Sequence, residues 1–431
     1  MGLFRFIILY SCLMFLAVPS VNAGTIPGPV IPAGLGVNIH FTSPRPGEMR
    51  MLAAAGFKWV RMDFLWADTE KHKGIYTFGA YDHLLRRLKA YHIRAYLILD
   101  YGNPLYNHML PPTSPAARRA FCRWVAAAVR HFKGQGVIWE LWNEPNGGFW
   151  KPRPDARAYA QLAVAVGRAI RRVNPRAIYV GPALSGVLNL GFLKTCFKAG
   201  VLRYWNAVSV HPYIGYNRSN VGPEGVIPHY AAIRRLISRY EPAGRHIPVL
   251  SGEWGYSSAW YPGHPGRQAR YAVRELLINL YQHIPISMYY DWHDDGPNPR
   301  ARESNFGLVH YGYYPGHPQV YIPKQAYLAC HTLCRLLQGF HFDKRLKLPV
   351  PNEYLLAFAN GHRRRWVIWS TVKSKPGMSH AILPVPPGAY RLVNDLGTRQ
   401  MRVQAGPTGL NIRISTGPQY VIPWHQQDNN R

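Results

Sequence analysis

From Leu35 onward, short apolar runs alternate with longer stretches in which apolar residues recur at helical spacing. The runs predict strands at 36–41, 59–64, 94–100, 138–143, 177–181, 207–211, 248–253 and 286–291. Between them, residues 81–91, 115–132, 154–174, 227–240, 268–283 and 324–337 read as helices. Eight strand–helix alternations over some 300 residues predict an α/β chain built as a (β/α)8 TIM barrel. An open doubly wound sheet usually needs fewer units, and no Gly-rich phosphate loop is present. Past Leu337 the texture changes to short strand-like runs at 354–359, 366–370, 380–385, 389–394 and 411–414, broken by Gly, Pro and Asn. These predict a small, sandwich-like all-β domain at 341–431 behind a barrel at 24–340.

Residues 1–23 carry Arg5, an apolar run from Phe6 to Val18 and small residues at Val21 and Ala23, the pattern of a cleaved export leader. The mature chain is then expected in the periplasm or outside the cell, and an uncleaved leader would tether it to the membrane. Cys122, Cys196, Cys330 and Cys334 remain after Cys12 leaves with the leader; they read as core or disulfide residues, with pairing open. The chain has 51 Lys and Arg against 21 Asp and Glu, a net +30 that becomes +29 without Arg5. Such a balance favours anionic partners. However, the basic residues (Arg86, Arg87, Arg118, Arg119, Arg171, Arg172) are scattered over helix backs with no nucleic-acid-binding signature, so no nucleic acid is expected as partner. The basic surface is read as solvated, with an acidic polysaccharide or an anionic membrane face left open.

Polar residues gather where the predicted strands end: Asp63, Asp100, Asn143, Glu144, His211, Glu253 and Asp291. That end of a barrel is where active sites form. Glu144 follows the apolar run Trp139 to Trp142 and precedes Pro145, while Glu253 follows Val249 to Gly252 three β/α units later. A retaining glycosidase needs such a pair, one carboxyl to protonate the leaving oxygen and one carboxylate roughly 5 Å away to attack the anomeric carbon. Taken singly, a strand-end Glu can equally pair with Arg or cap a helix. Together, at this face, they point to chemistry.

Asn143-Glu144-Pro145 at the fourth strand and Glu253 at the seventh resemble the signature of the clan A glycoside hydrolases, which are retaining barrels. The segments around Arg61, Asp63 and Trp66, around Asp100 and Tyr106, and at His211-Pro212-Tyr213 are similar to family 39 glycosidases. Among these, the similarity points to the branch found with bacterial exopolysaccharide synthesis, and it runs from about Leu35 to Leu337. The resemblance implies Glu144 as acid/base, Glu253 as nucleophile and Asn143 as a donor to the sugar 2-hydroxyl. It further implies that His211 and Tyr213 line the site and that Tyr213 hydrogen-bonds the nucleophile. In that picture Arg61 pairs with a carboxylate and keeps it ionised; the plainer alternative is a structural ion pair between Arg61 and Asp63.

Aromatic residues make up 13% of the chain, and sugar rings pack their C–H faces on such side chains. Trp254, Trp260 and Trp292 are the expected platforms, with Trp66 also at the site, because each follows closely on a predicted strand end. The loop Asp291-Trp292-His293-Asp294-Asp295-Gly296 is rich in potential ligands. Such loops commonly hydrogen-bond their own backbone, so neither a metal nor a cofactor is expected. The chain thus reads as an exported monomeric retaining glycosidase acting on β-linkages in a polysaccharide, with a bacterial exopolysaccharide as the expected substrate. The other readings are a β-xylosidase or endoglucanase acting on plant polymers, a transglycosylase, or a non-catalytic polysaccharide-binding protein.

Overall fold

The computed structural model describes residues 25–186, 189–214, 221–264, 266–371 and 380–424; the leader expected at 1–23 lies outside the described residues. Eight parallel strands pair in sequence order: β1 (Leu35–Asn38), β2 (Trp59–Leu65), β3 (Arg94–Asp100), β4 (Ile138–Leu141), β5 (Ile178–Ser185), β6 (Ala207–His211), β7 (Val249–Trp254) and β8 (Ser287–Tyr289). β8 pairs back on β1 and closes the barrel. One longer helix follows each strand: α1 (Glu48–Ala54), α2 (Gly79–Ala90), α3 (Pro115–His131), α4 (Ala156–Val173), α5 (Leu190–Lys198), α6 (Ile227–Ile237), α7 (Gly266–Tyr281) and α8 (Gln325–Leu336). The sequence pattern predicts neither α1 nor α5. At seven and nine residues they are too short to display a helical period.

Side chains alternate across each strand, so every second residue faces the barrel interior. Trp59, Tyr96, Ile138, Ile178, Leu250 and Met288 fill its lower part, while Val60, Leu97, Trp139 and Val208 pack under the helices. One layer higher the inward positions become polar: Arg61, Glu140 and Ser209 are all buried there. Three strands stop earlier than the pattern predicts, β1 at Asn38 among them. β4 ends at Leu141 because Trp142 and Glu144 adopt left-handed backbone conformations, with φ of 63° and 46°, which no strand accommodates. β8 ends at Tyr289, and Trp292 turns its N–H to the Asn38 carbonyl.

A hairpin of β9 (Val309–Tyr313) and β10 (Tyr321–Pro323) precedes α8. After α8 come β11 (His341–Leu346), β12 (Glu353–Asn360), β13 (Arg363–Ser370), β14 (His380–Leu383), β15 (Gly388–Val393), β16 (Gln400–Ala405), β17 (Leu410–Arg413) and β18 (Gln419–Pro423). Six of these form one sheet in the order β11-β12-β13-β18-β15-β16, and β14-β17 form a second. Leu355, Ala357 and Ile368 pack with Ala381, Leu383, Leu410 and Ile412 between the two sheets. Their neighbours Leu356, Phe358, Val367 and Trp369 face the other way and join the core that covers the barrel. The six-stranded sheet is therefore buried on both faces, which is why β12 is almost continuously apolar. β11 and β16 escape the sequence pattern because they are edge strands carrying charged and polar residues.

Cys122, Cys196, Cys330 and Cys334 are free thiols, the last three buried. Among the described residues, no helix is long and apolar enough to cross a membrane. The seam between domains has a polar anchor: the Glu224 carboxylate accepts from Arg274 Nε of α7 at 2.8 Å and from Trp369 Nε1 of β13 at 2.7 Å. A hydrogen bond to a charged group contributes about 1.5–3 kcal/mol. Trp369→Phe keeps the ring and loses the donor, so it is expected to lower unfolding free energy by about 1–2 kcal/mol in a denaturant titration. A curve superimposing on wild type would show that this bond holds nothing.

Candidate active site

Arg61 projects from β2 into the barrel and is 1% exposed. All five of its N–H donors have partners. Nε donates to Glu140 Oε2 at 2.8 Å, and Nη1 donates to Asn38 Oδ1 at 3.0 Å and Glu253 Oε2 at 2.9 Å. Nη2 donates to Asn143 Oδ1 at 2.9 Å and lies 3.2 Å from His211 Nε2. Burial disfavours the charged guanidinium, but the carboxylates of Glu140 and Glu253 outweigh it and keep Arg61 charged. Asp63 is not its partner, so the alternative of a structural Arg61–Asp63 pair is corrected: the buried pair is with Glu140 on β4. Glu140 also accepts from the Tyr96 hydroxyl at 2.7 Å.

His211 is fully buried and joins the two remaining carboxylates. Its Nε2 faces an Arg61 N–H and so must accept, which leaves the hydrogen on Nδ1. Nδ1 then donates to Glu144 Oε1 at 2.9 Å and sits 3.8 Å from Glu253 Oε2. One carboxylate oxygen of Glu144, one of Glu253 and a His211 ring nitrogen all lie within 4.8 Å of one another. Glu253 also accepts from the Tyr213 hydroxyl at 2.7 Å. A bulge in β7 between Ser251 and Trp254 breaks the alternation and turns Glu253 to the cleft. The preceding residue has to be glycine, since a Cβ on Gly252 would come within 2.4 Å of Ser209 Oγ.

Glu144 is fixed through its backbone. Its N–H donates to the Ala183 carbonyl of β5 at 3.1 Å. Beyond it, Asn146 and Ser185 clamp the loop to β5 reciprocally, Asn146 Nδ2 donating to the Ser185 carbonyl and the Ser185 N–H to Asn146 Oδ1, both at 2.8 Å. Burial pushes the Glu144 carboxyl up, but the hydrogen bond from His211, together with Ser185 and the Arg61 charge, outweighs it and holds the group below its ordinary range. On the neighbouring wall, burial and the charge of Asp63 hold the Asp100 carboxyl well above its ordinary range.

These residues open into a cleft of about 570 Å³ at the C-terminal face of the barrel. Arg61, Asp63, Asn143, Glu144, Tyr213, Glu253 and Trp260 line it, as the sequence predicts for a site there. Five other expected contacts are corrected. Asp100 is fully buried under the wall and reaches the cleft only through Asp63. Trp254 and Trp292 are 1% exposed and point to the helix layer, where their Nε1 groups donate to Ser287 Oγ and Glu48 Oε1. Trp66 is fully buried against Tyr106 and Trp124. His211 acts behind Glu144 rather than on the cleft surface. The aromatic walls are instead Tyr101 and Phe149, stacked with ring centroids 5.8 Å apart, and Tyr290, Phe306 and Trp260 opposite. Phe149 is half exposed, and it sits in a loop whose sequence gives no sign of its direction.

A family model described as "Cellulase (glycosyl hydrolase family 5)" matches residues 36–295. No curated protein sequence matches the chain. Among solved structures, a family 39 glycoside hydrolase from the gut symbiont Bacteroides cellulosilyticus WH2 superimposes with a TM-score of 0.77 at 23% identity, covering 91% of this chain and 81% of that one. A monomeric beta-xylosidase from Caulobacter crescentus CB15 gives 0.64 at 19% identity, covering 94% and 99%. A family 30 endoxylanase from Clostridium papyrosolvens C71 gives 0.63 at 10%, covering 94% and 98%. At these identities the structural likenesses carry the fold.

The His211 contact generates a titration test. Removing a donor to a carboxylate disfavours its ionised form, so His211→Ala is expected to raise the Glu144 pKa. NMR titration of labelled glutamate side chains, with Glu144→Gln for assignment, reads it directly; an unmoved or lowered value would mean that His211 does not donate.

Proposed function

The chain belongs to the cellulase family of glycosyl hydrolases, family 5, and from that membership we propose that it cleaves β-linkages in a polysaccharide with retention of configuration. In this reading Glu253 is the nucleophile and Glu144 the acid/base. The observation that carries the proposal is the spacing of the two carboxylates, with oxygens within 4.8 Å. Retaining enzymes hold their pair roughly 5–5.5 Å apart, whereas inverting ones leave about 6.5–9.5 Å for a water.

Arg61 and Tyr213 aim Glu253, one from each side of its carboxylate. Glu253 attacks the anomeric carbon as the bond to the leaving oxygen breaks, and Glu144 gives its proton to that oxygen. A water then surrenders its proton to Glu144, its oxygen bonds to the anomeric carbon, and Glu253 departs as carboxylate. In the open cleft His211 favours ionised Glu144, the form the second step requires. A glycoside filling the cleft removes the remaining water and shifts the balance toward the protonated form that the first step requires. Asn143, its oxygen committed to Arg61, presents its amide nitrogen to the Tyr101 side of the cleft, where a sugar 2-hydroxyl would accept.

The substrate we propose is a bacterial exopolysaccharide, met by an exported enzyme. Although the chain is strongly basic, carboxylates dominate the cleft lining: Asp63, Glu144, Glu253 and Glu303 stand against Arg61, already paired, and His40. A neutral glycan suits that lining better than a uronate-rich one, and the flanking aromatic walls suit its pyranose faces.

Purified protein is to be tested for reducing-end release on neutral and acidic bacterial exopolysaccharides and on plant xylan and β-glucan. Wild type is expected to cleave a neutral bacterial polymer, with the β-anomer appearing first by NMR. Glu144→Gln and Glu253→Gln should lower kcat by roughly 10³–10⁵-fold while still binding the glycan. Cleavage of plant polymers alone would replace the substrate, and binding without turnover by wild type would replace the function. Within the same assay, His211→Ala is expected to move the alkaline limb of kcat/KM to higher pH, because that limb reports loss of the proton from Glu144. An alkaline limb that stays in place would break the assignment of Glu144 as the acid.

A further inference from the structure

At the rim of the cleft, away from Glu144 and Glu253, the ends of β1 and β8 bring together His40, Asp291 and Asp295. One ring nitrogen and one oxygen from each carboxylate lie within 4.8 Å of each other. Asp291 is 1% exposed, yet neither of its carboxylate oxygens has a hydrogen-bond partner. A buried, unsatisfied carboxylate is costly, and the mechanism gives it no task. Among the described residues His40 is its ion-pair partner, with Nε2 3.6 Å from Oδ2, a long and weak contact that leaves the carboxylate poorly satisfied. The adjacent Lys324 ammonium is committed to Asp294 at 2.8 Å.

A separation of 3.6 Å has a different meaning if both atoms bind one ion. Zinc takes nitrogen and oxygen ligands at about 2.0–2.2 Å, which places two tetrahedral ligands about 3.4 Å apart. The His40–Asp291 spacing is close to that value, and the exposed Asp295 offers a carboxylate oxygen within 4.8 Å of both ligand atoms. The ring of Tyr290, edge-on to His40 at 5.5 Å, backs the imidazole in place.

We propose that His40, Asp291 and Asp295 form a divalent cation site of zinc type at the cleft rim. One imidazole and two carboxylates suit zinc, and three protein ligands leave a fourth position open. Because His40 lines the cleft, that position faces the space a glycan would occupy and is available to water or a sugar hydroxyl. The ion would also pin the end of β1 to the loop after β8. The site is independent of the glycosidase assignment, since its occupancy is read without substrate.

Glu144, His211 and Glu253 could gather a cation too, so the test uses the Glu144→Gln/Glu253→Gln double variant, freed of metal by chelator. Titration with zinc chloride in a calorimeter is expected to show one site per chain, and zinc is expected to raise Tm in a chelator-reversible way. Adding His40→Ala or Asp295→Asn, both at exposed positions, should weaken the affinity by at least about tenfold. Asp291→Asn should abolish it, with circular dichroism checking the fold. No stoichiometric binding, or binding unchanged by His40→Ala, would overturn the proposal.

Discussion

A guanidinium taken out of water into the barrel constrains everything above it. Desolvating such an ion costs several kcal/mol, which only well-placed opposite charges and filled donors offset. Arg61 meets both conditions, but only if the ends of β1, β4 and β7 present Asn38, Glu140 and Glu253 at fixed positions while His211 on β6 supplies an acceptor. One side chain from β2 thereby ties four other strand ends together. It also sets the hydrogen on the far side of the His211 ring, and hence which form of Glu144 the resting site favours. Polar organisation and strand register are the same constraint seen from two directions.

Much of this was legible in the sequence. The alternation of apolar runs and amphipathic stretches was enough for the barrel, because each strand buries both faces and each helix one. Glu144 and Glu253 stand out because Asn143-Glu144-Pro145 and a second strand-end Glu three units later match the two-carboxylate pattern. Glu140 was hidden inside an apolar run, although an inward-facing Glu across from an inward-facing Arg is the signal that would have found it. Closeness in sequence to Glu253 and Asp291 does not bring Trp254 and Trp292 to the cleft: Trp254 turns to Ser287, and Trp292, past the end of β8, turns to Glu48. Asn146 and Phe149 lie in the loop after β4, whose direction depends on left-handed backbone at Trp142 and Glu144, which no periodicity reports.

Charge is distributed unevenly in a way that composition conceals. The outer helices carry 17 of the 38 arginines, whereas carboxylates converge at the C-terminal end of the barrel, from Asp63 and Asp100 on one side to Asp291 and Asp295 on the other. On the proposed reading, a basic exterior and an acidic cleft act on different parts of a polymer. The exterior works over a Debye length of about 8–10 Å, and the lining works by contact.

The two-faced burial of the six-stranded sheet bears on how this molecule can be taken apart. A module joined by a linker can be cut away and leave a working remainder. Here Leu356, Phe358, Val367 and Trp369 belong to the same apolar core that coats the barrel, so a cut before β11 would strip a wall from a shared interior. The barrel and the sheet behave as one inheritable unit, and a recombination that exchanged the tail for another would have to bring a matching inner surface with it.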